Sequence, residues 1–188
     1  GPSRPVGRGM AEHCWEREGS EYLELVTRTS LDWTMGAICR ERGITRRKTS
    51  YSTICNEGLA FTCAFADPAG EMISVADFCP AQIGGMPVLI KSCVRELATE
   101  PLEEGDVVVH NDPYRGGLHT PEHTFFKPIF VGGELLGYAV SIGHVSENGC
   151  SVPGRFARAA TETSHEGLAP PPVTRATRRP APGEHAPP

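Results

Sequence analysis

The sequence predicts an α+β fold with mainly antiparallel pairing: a long N-terminal helix, β-hairpins, a second helix and a disordered C-terminal tail. Three observations carry this. Apolar residues recur at helical spacing over residues 21–42, two strand pairs flank short turn sequences, and seven of the 17 prolines crowd into residues 170–188. In the first segment Leu23, Val26, Leu31, Met35 and Ile38 mark one helical face, with Gly43 in the stop position. FTCAFA and EMISVA then surround Asp67-Pro68-Ala69-Gly70, whose residues favour a turn, so a hairpin is expected. Gly84 and Gly85 lead into MPVLIKSCVRELATE, where Val88, Leu89, Cys93, Val94 and Leu97 predict a helix of about three turns. A strand is expected at 107–110. FFKPIFV and ELLGYAVSIG flank Gly132-Gly133, a two-residue turn suited to a tight hairpin.

The chain divides into a disordered extension or tag at 1–19, a folded domain at 20–173 and a disordered tail at 174–188, whose Pro, Arg and Ala composition offers too little apolar surface to offset ordering. A net charge of -5 gives no basic stripe for a phosphate backbone, which argues against nucleic acid. No apolar run approaches the ~20 residues of a membrane span. Seven cysteines without CxxC spacing fit reduced thiols and a cytoplasmic location.

Chemistry concentrates in two turns. His110-Asn111-Asp112-Pro113-Tyr114-Arg115-Gly116-Gly117-Leu118-His119-Thr120-Pro121-Glu122-His123 precedes the second hairpin, and His144-Val145-Ser146-Glu147-Asn148-Gly149-Cys150 follows it. His119-x-x-Glu122 puts a nitrogen and an oxygen ligand within one turn, and His144 arrives from the far end of the hairpin. Two imidazoles and a carboxylate leave coordination positions open, as a catalytic divalent ion requires. The bland alternative makes the histidines surface residues and Glu122 a turn cap. Asn111 and Asp112 read either as turn formers or as site residues, and Gly116 and Gly117 as a steric turn or as amide donors to an oxyanion. Glu147 is a ligand, an orienting acceptor for a histidine, or a loop charge. His110 reads as structural. Cys150 lacks a base fixed beside it and is not expected to be a nucleophile.

GDVVVHNDPYRGGLHTPEH, KPIFVGGELLGYAVSIGH, VPGRF and HEGLAPPPV together resemble the hydantoinase B/oxoprolinase family over roughly residues 20–173. The resemblance implies an ATP-dependent amidohydrolase acting on cyclic amides. Its nucleotide is held by a partner, a hydantoinase A or actin-like ATPase subunit, in keeping with the lack of a phosphate-binding motif here. This subunit would complete ring opening at a metal-assisted carbonyl, with His119, Glu122 and His144 holding zinc, manganese or iron. Glu147 and Asp112 would act on ligands or substrate, and Asn111, Gly116 and Gly117 would bind substrate or developing negative charge. Two other readings stand beside it: an acetone or acetophenone carboxylase-like subunit, and a catalytically silent fragment that binds the partner. The sequence departs from the family pattern in three places. Glu122 and Glu147 replace aspartates, Asn148 and Cys150 interrupt a glycine-rich turn, and Gln82 stands where the family carries histidine. Because family members are several hundred residues long, an N-terminal fragment is expected.

Overall fold

The computed structural model describes residues 25–99, 102–152 and 158–176. Six antiparallel strands form one sheet in the order β2-β1-β5-β4-β3-β6. They are β1 (Phe61–Ala66), β2 (Met72–Val75), β3 (Asp106–His110), β4 (Glu122–Val131), β5 (Glu134–His144) and β6 (Val173–Ala176). The helices are α1 (Leu25–Thr49), the single turn α2 (Thr53–Asn56) and α3 (Pro80–Glu96). Both expected hairpins form. Gly132 and Gly133 adopt φ of 60° and 85°, the left-handed pair that lets a two-residue turn match the strand twist.

Strand alternation assigns each face of the sheet to one helix. Ala64, Ala66, Val108, Phe126, Tyr138, Val140 and Ile142 meet Met86, Leu89, Ile90 and Cys93 of α3 in the main core. Phe126 stacks on Tyr138 with centroids 4.3 Å apart, worth about 0.5–1.5 kcal/mol beyond their burial. The other face carries Phe61, Cys63, Phe65 and Phe125, against which α1 lies through Cys39, Arg42 and Arg46.

Three boundaries differ from expectation. The first helix does not stop at Gly43 but runs to Thr49. Gly43 serves contact instead, since a Cβ there would sit 2.0 Å from the Phe78 ring, and Phe78 in turn packs on Phe61 at 4.5 Å. The second helix begins at Pro80 rather than near Met86, because proline at N1 is pre-set for helix and needs no donor. Its two glycines remain helical, and Gly85 makes room for Leu118, whose side chain a Cβ would meet at 2.4 Å. At the other end, residues 174–176, expected in the tail, extend an edge strand along β3. The extension at 1–19, residues 177–188 and most of VPGRF lie outside the described residues.

None of the six described cysteines is in a disulfide with another described residue. No helix among the described residues is long and apolar enough to cross a membrane.

Candidate active site

The mouth of the β4–β5 hairpin is where the ligand-type residues meet. Glu122 opens β4, His144 closes β5, and the two are direct cross-strand partners. Alternation turns both toward the α3 face and sends His123 to the opposite face. His119 lies on the preceding loop, whose return is fixed by the Glu122 amide donating to the His119 carbonyl at 3.0 Å. The result places His119 Nδ1 3.2 Å from Glu122 Oε2 and the His119 ring centroid 5.2 Å from that of His144.

Glu122 is nearly sealed, with its side chain 6% exposed, whereas His119 is 47% exposed. A carboxylate at that depth needs partners. One is Gln82, fully buried on the first turn of α3, whose Nε2 donates to Glu122 Oε1 at 2.7 Å. The other oxygen, Oε2, is buried without a hydrogen-bond partner apart from its approach to His119. Gln82 is therefore a site residue that ligand spacing did not reveal; only its place opposite a family histidine marked it. His144 Nδ1 lies 3.0 Å from the Val145 carbonyl, which can only accept. That contact puts the proton on Nδ1 and the lone pair on Nε2.

The loop of residues 111–121 is pinned rather than draped. Asn111, fully buried, donates through Nδ2 to the carbonyls of Thr120 at 2.5 Å and Leu168 at 2.7 Å. Expected to bind substrate, Asn111 thus engages its Nδ2 in an internal clamp. Asp112 likewise reads as a turn former: Oδ1 accepts from the Tyr114 amide at 2.9 Å, and Oδ2 stands 3.3 Å from Arg115 Nε. The Gly117 amide donates to the Asp112 carbonyl at 3.0 Å, so it is not presented to an oxyanion. Gly116, at φ 98°, packs on α3, where a Cβ would lie 3.1 Å from Leu89 Cα; close approach explains it.

Glu147, expected to act on ligands or substrate, lies in the loop after β5. It is exposed, and its Oε1 accepts the amides of Asn148, Gly149 and Cys150 at 2.9, 2.9 and 3.0 Å, which caps its own loop. His110 is structural as expected, fully buried at the end of β3. Burial pushes its imidazole below the ordinary pKa, against the raising effect of the neighbouring Pro170 and Arg115 carbonyls.

A divalent ion suits this donor set in kind: beside its 3.2 Å approach to His119 Nδ1, the buried Glu122 Oε2 has no hydrogen-bond partner among the described residues. Among the described residues, however, no three His, Cys, Asp or Glu side chains already stand as a metal cage.

An α+β module with ligand-type side chains at the mouth of an antiparallel hairpin is the class of protein that fold and site define. Residues 26–180 match the Hydantoinase B/oxoprolinase family model, and the chain belongs to that family. It is 37% identical over 137 residues to an uncharacterized protein, MJ0963, of Methanocaldococcus jannaschii, covering 72% of this chain and 24% of that protein. Caprolactamase subunit beta of Pseudomonas jessenii is 36% identical over 134 residues, with coverages of 71% and 23%. The crystal structure of the ATP-dependent caprolactamase from Pseudomonas jessenii superposes with a TM-score of 0.75 at 32% identity, over 82% of this chain and 26% of that one. The nucleotide-free structure of acetone carboxylase, at 22% identity and a TM-score of 0.71 over 78% of this chain and 19% of that one, shows the shared fold. The chain thus spans about a fifth to a quarter of the length of each of these proteins.

Proposed function

We propose that this chain is part of the metal-dependent subunit of an ATP-dependent amidohydrolase that opens cyclic amides. The observation that carries the reading is the convergence of His119, Glu122 and His144 on one hairpin mouth, backed by Gln82. The similarity to a caprolactamase subunit supports the substrate class, since a lactam is a cyclic amide. A divalent ion held by His119, Glu122 and His144 would polarise the amide carbonyl as a Lewis acid.

The chain's own residues prepare that site. Gln82 ties down Oε1 and leaves Oε2 directed at His119. The Val145 carbonyl fixes the His144 tautomer with its lone pair on Nε2. The 111–121 loop, clamped by Asn111 and seated on α3 at Gly85 and Gly116, limits how far His119 can travel. The sequence has no phosphate-binding loop, and we assign ATP to a hydantoinase A or actin-like ATPase partner that activates the substrate oxygen.

The test is metal analysis of the purified chain and of His119→Ala and His144→Ala, followed by ATP-dependent hydrolysis of caprolactam and 5-oxoproline with an ATPase partner subunit. About one zinc or manganese ion per chain is expected, lost in both variants. Unchanged metal content in both would sink the site, and bicarbonate fixation without lactam opening would sink the substrate class.

A further inference from the structure

On the sheet face away from the candidate active site, α1, β1 and β5 border a groove of about 400 Å³. Arg42 and Arg46, one helical turn apart, both line it. Each guanidinium lies beside an aromatic ring, Arg42 at 5.3 Å from the Phe65 centroid and Arg46 at 5.8 Å from that of Phe125. Arg46 Nη1 donates to Ser141 Oγ at 2.7 Å, and Ser141 is within 3.5 Å of Cys63 Sγ. Arg42 Nη1 is buried with no hydrogen-bond partner among the described residues.

Two features of this arrangement ask for an acceptor. Two like charges one turn apart repel, and among the described residues neither has a carboxylate at ion-pair distance. A buried N–H without a partner also carries a desolvation cost that only an acceptor removes. Glu41 lines the groove too, but it is exposed and pairs with neither arginine. The concentration of unpaired positive charge stands out in a chain of net charge -5.

We propose that this groove binds a small-molecule oxyanion, a carboxylate or phosphate group, between Arg42 and Arg46. The planar guanidinium fork matches either group through paired N–H donors, and the volume falls within the range of small-molecule clefts, about 300–1,000 Å³. Aromatic seating and the Ser141 contact hold both forks before any ligand arrives, which lowers the ordering cost of binding.

Inorganic phosphate and acetate, titrated separately into the full ¹⁵N-labelled chain at ionic strength held constant with chloride, test this. The side-chain Nε–H signals of Arg42 and Arg46 should shift saturably with at least one anion, and the thermal midpoint should rise with it. Which anion saturates distinguishes the two sources. Arg42→Gln and Arg46→Gln should each weaken binding by roughly tenfold or more, and Arg42→Lys should recover part of it by restoring charge without the fork. His119→Ala should leave it unchanged, which separates this groove from the proposed metal site. Non-saturating shifts with both anions overturn the proposal without any variant. Undiminished binding by a folded Arg42→Gln/Arg46→Gln chain, checked by circular dichroism, also overturns it.

Discussion

Asn111 and Asn148 donate to the same two carbonyls, those of Thr120 and Leu168. The Asn111 contacts are 2.5 and 2.7 Å, and those of Asn148 are 2.9 and 3.3 Å. One side chain follows β3 and the other sits beyond β5, so both flanks of the hairpin close on the loop that carries His119. Asn111→Ala should cost about 2 kcal/mol, because it removes two buried bonds, and Asn148→Ala about 1 kcal/mol. Each carbonyl keeps one donor in either single variant, so the double variant should exceed their sum by about 0.5 kcal/mol or more. Urea unfolding of all four proteins closes the cycle, and strict additivity would show that the two asparagines act separately.

Gln82→Leu should destabilise the fold by about 1.5–3 kcal/mol, the range for a hydrogen bond to a charged group, since Glu122 loses its buried donor. Metal uptake should fall with it, because Oε1 is released and the carboxylate can turn. Gln82→Asn, shorter but still a donor, should recover part of both; a fully stable Gln82→Leu protein that loads metal normally would remove Gln82 from the site.

Two glycines under the same loop should behave differently. Gly116→Ala forces a side chain into φ 98° and toward the Leu89 backbone at 3.1 Å, a cost of about 1–3 kcal/mol. Gly85→Ala meets only the flexible end of Leu118 and gains up to about 1 kcal/mol of helix propensity, so its stability should change little. Displacing Leu118 moves its neighbour His119, and metal affinity should drop while the melting temperature holds. Calorimetry paired with metal titration separates the two outcomes.

His110 sets an acid limit. Its folded pKa lies below the ordinary value of about 6.5, so the unfolded chain binds the extra proton. The stability His110 contributes is fully present above about pH 6.5 and is lost as pH falls from there through the folded value. His110→Gln should flatten the fall in melting temperature between pH 6.5 and 5 relative to the parent. An unchanged slope would show that other groups govern it.

Truncation after Pro172 should lower stability by about 1–3 kcal/mol, from the loss of β3–β6 backbone pairing. Removing only 177–188 should leave that pairing intact. Equal melting temperatures for both truncations would contradict the edge strand.

The two hairpins were legible because alternation and turn residues are local signals, as at Asp67–Gly70 and Gly132-Gly133, whereas the edge strand β6 and the pairing of β1 with β5 rest on contacts distant in sequence. Helix ends were not. Gly43 and Gly85 carry the sequence signature of breakers, but their reason is a distant side chain, Phe78 and Leu118 respectively. At the site, ligand spacing found His119, Glu122 and His144, which the hairpin brings together. At Asn111, Asp112, Gly117 and Glu147 it leaves two readings side by side, because a polar side chain or amide that closes its own loop has the same sequence as one that faces a substrate. In the structure each of the four has a hydrogen bond within or beside its own loop.

The Glu122–His144 rung has a kinetic corollary. A hairpin is among the first elements a chain can make, on a timescale of about 1–10 μs, whereas docking α3 demands contacts distant in sequence. The two residues are thus neighbours as soon as the hairpin zips shut, before Gln82 arrives to cover the carboxylate. On that order of events the Glu122 carboxylate stays open to solvent until α3 docks and Gln82 covers it.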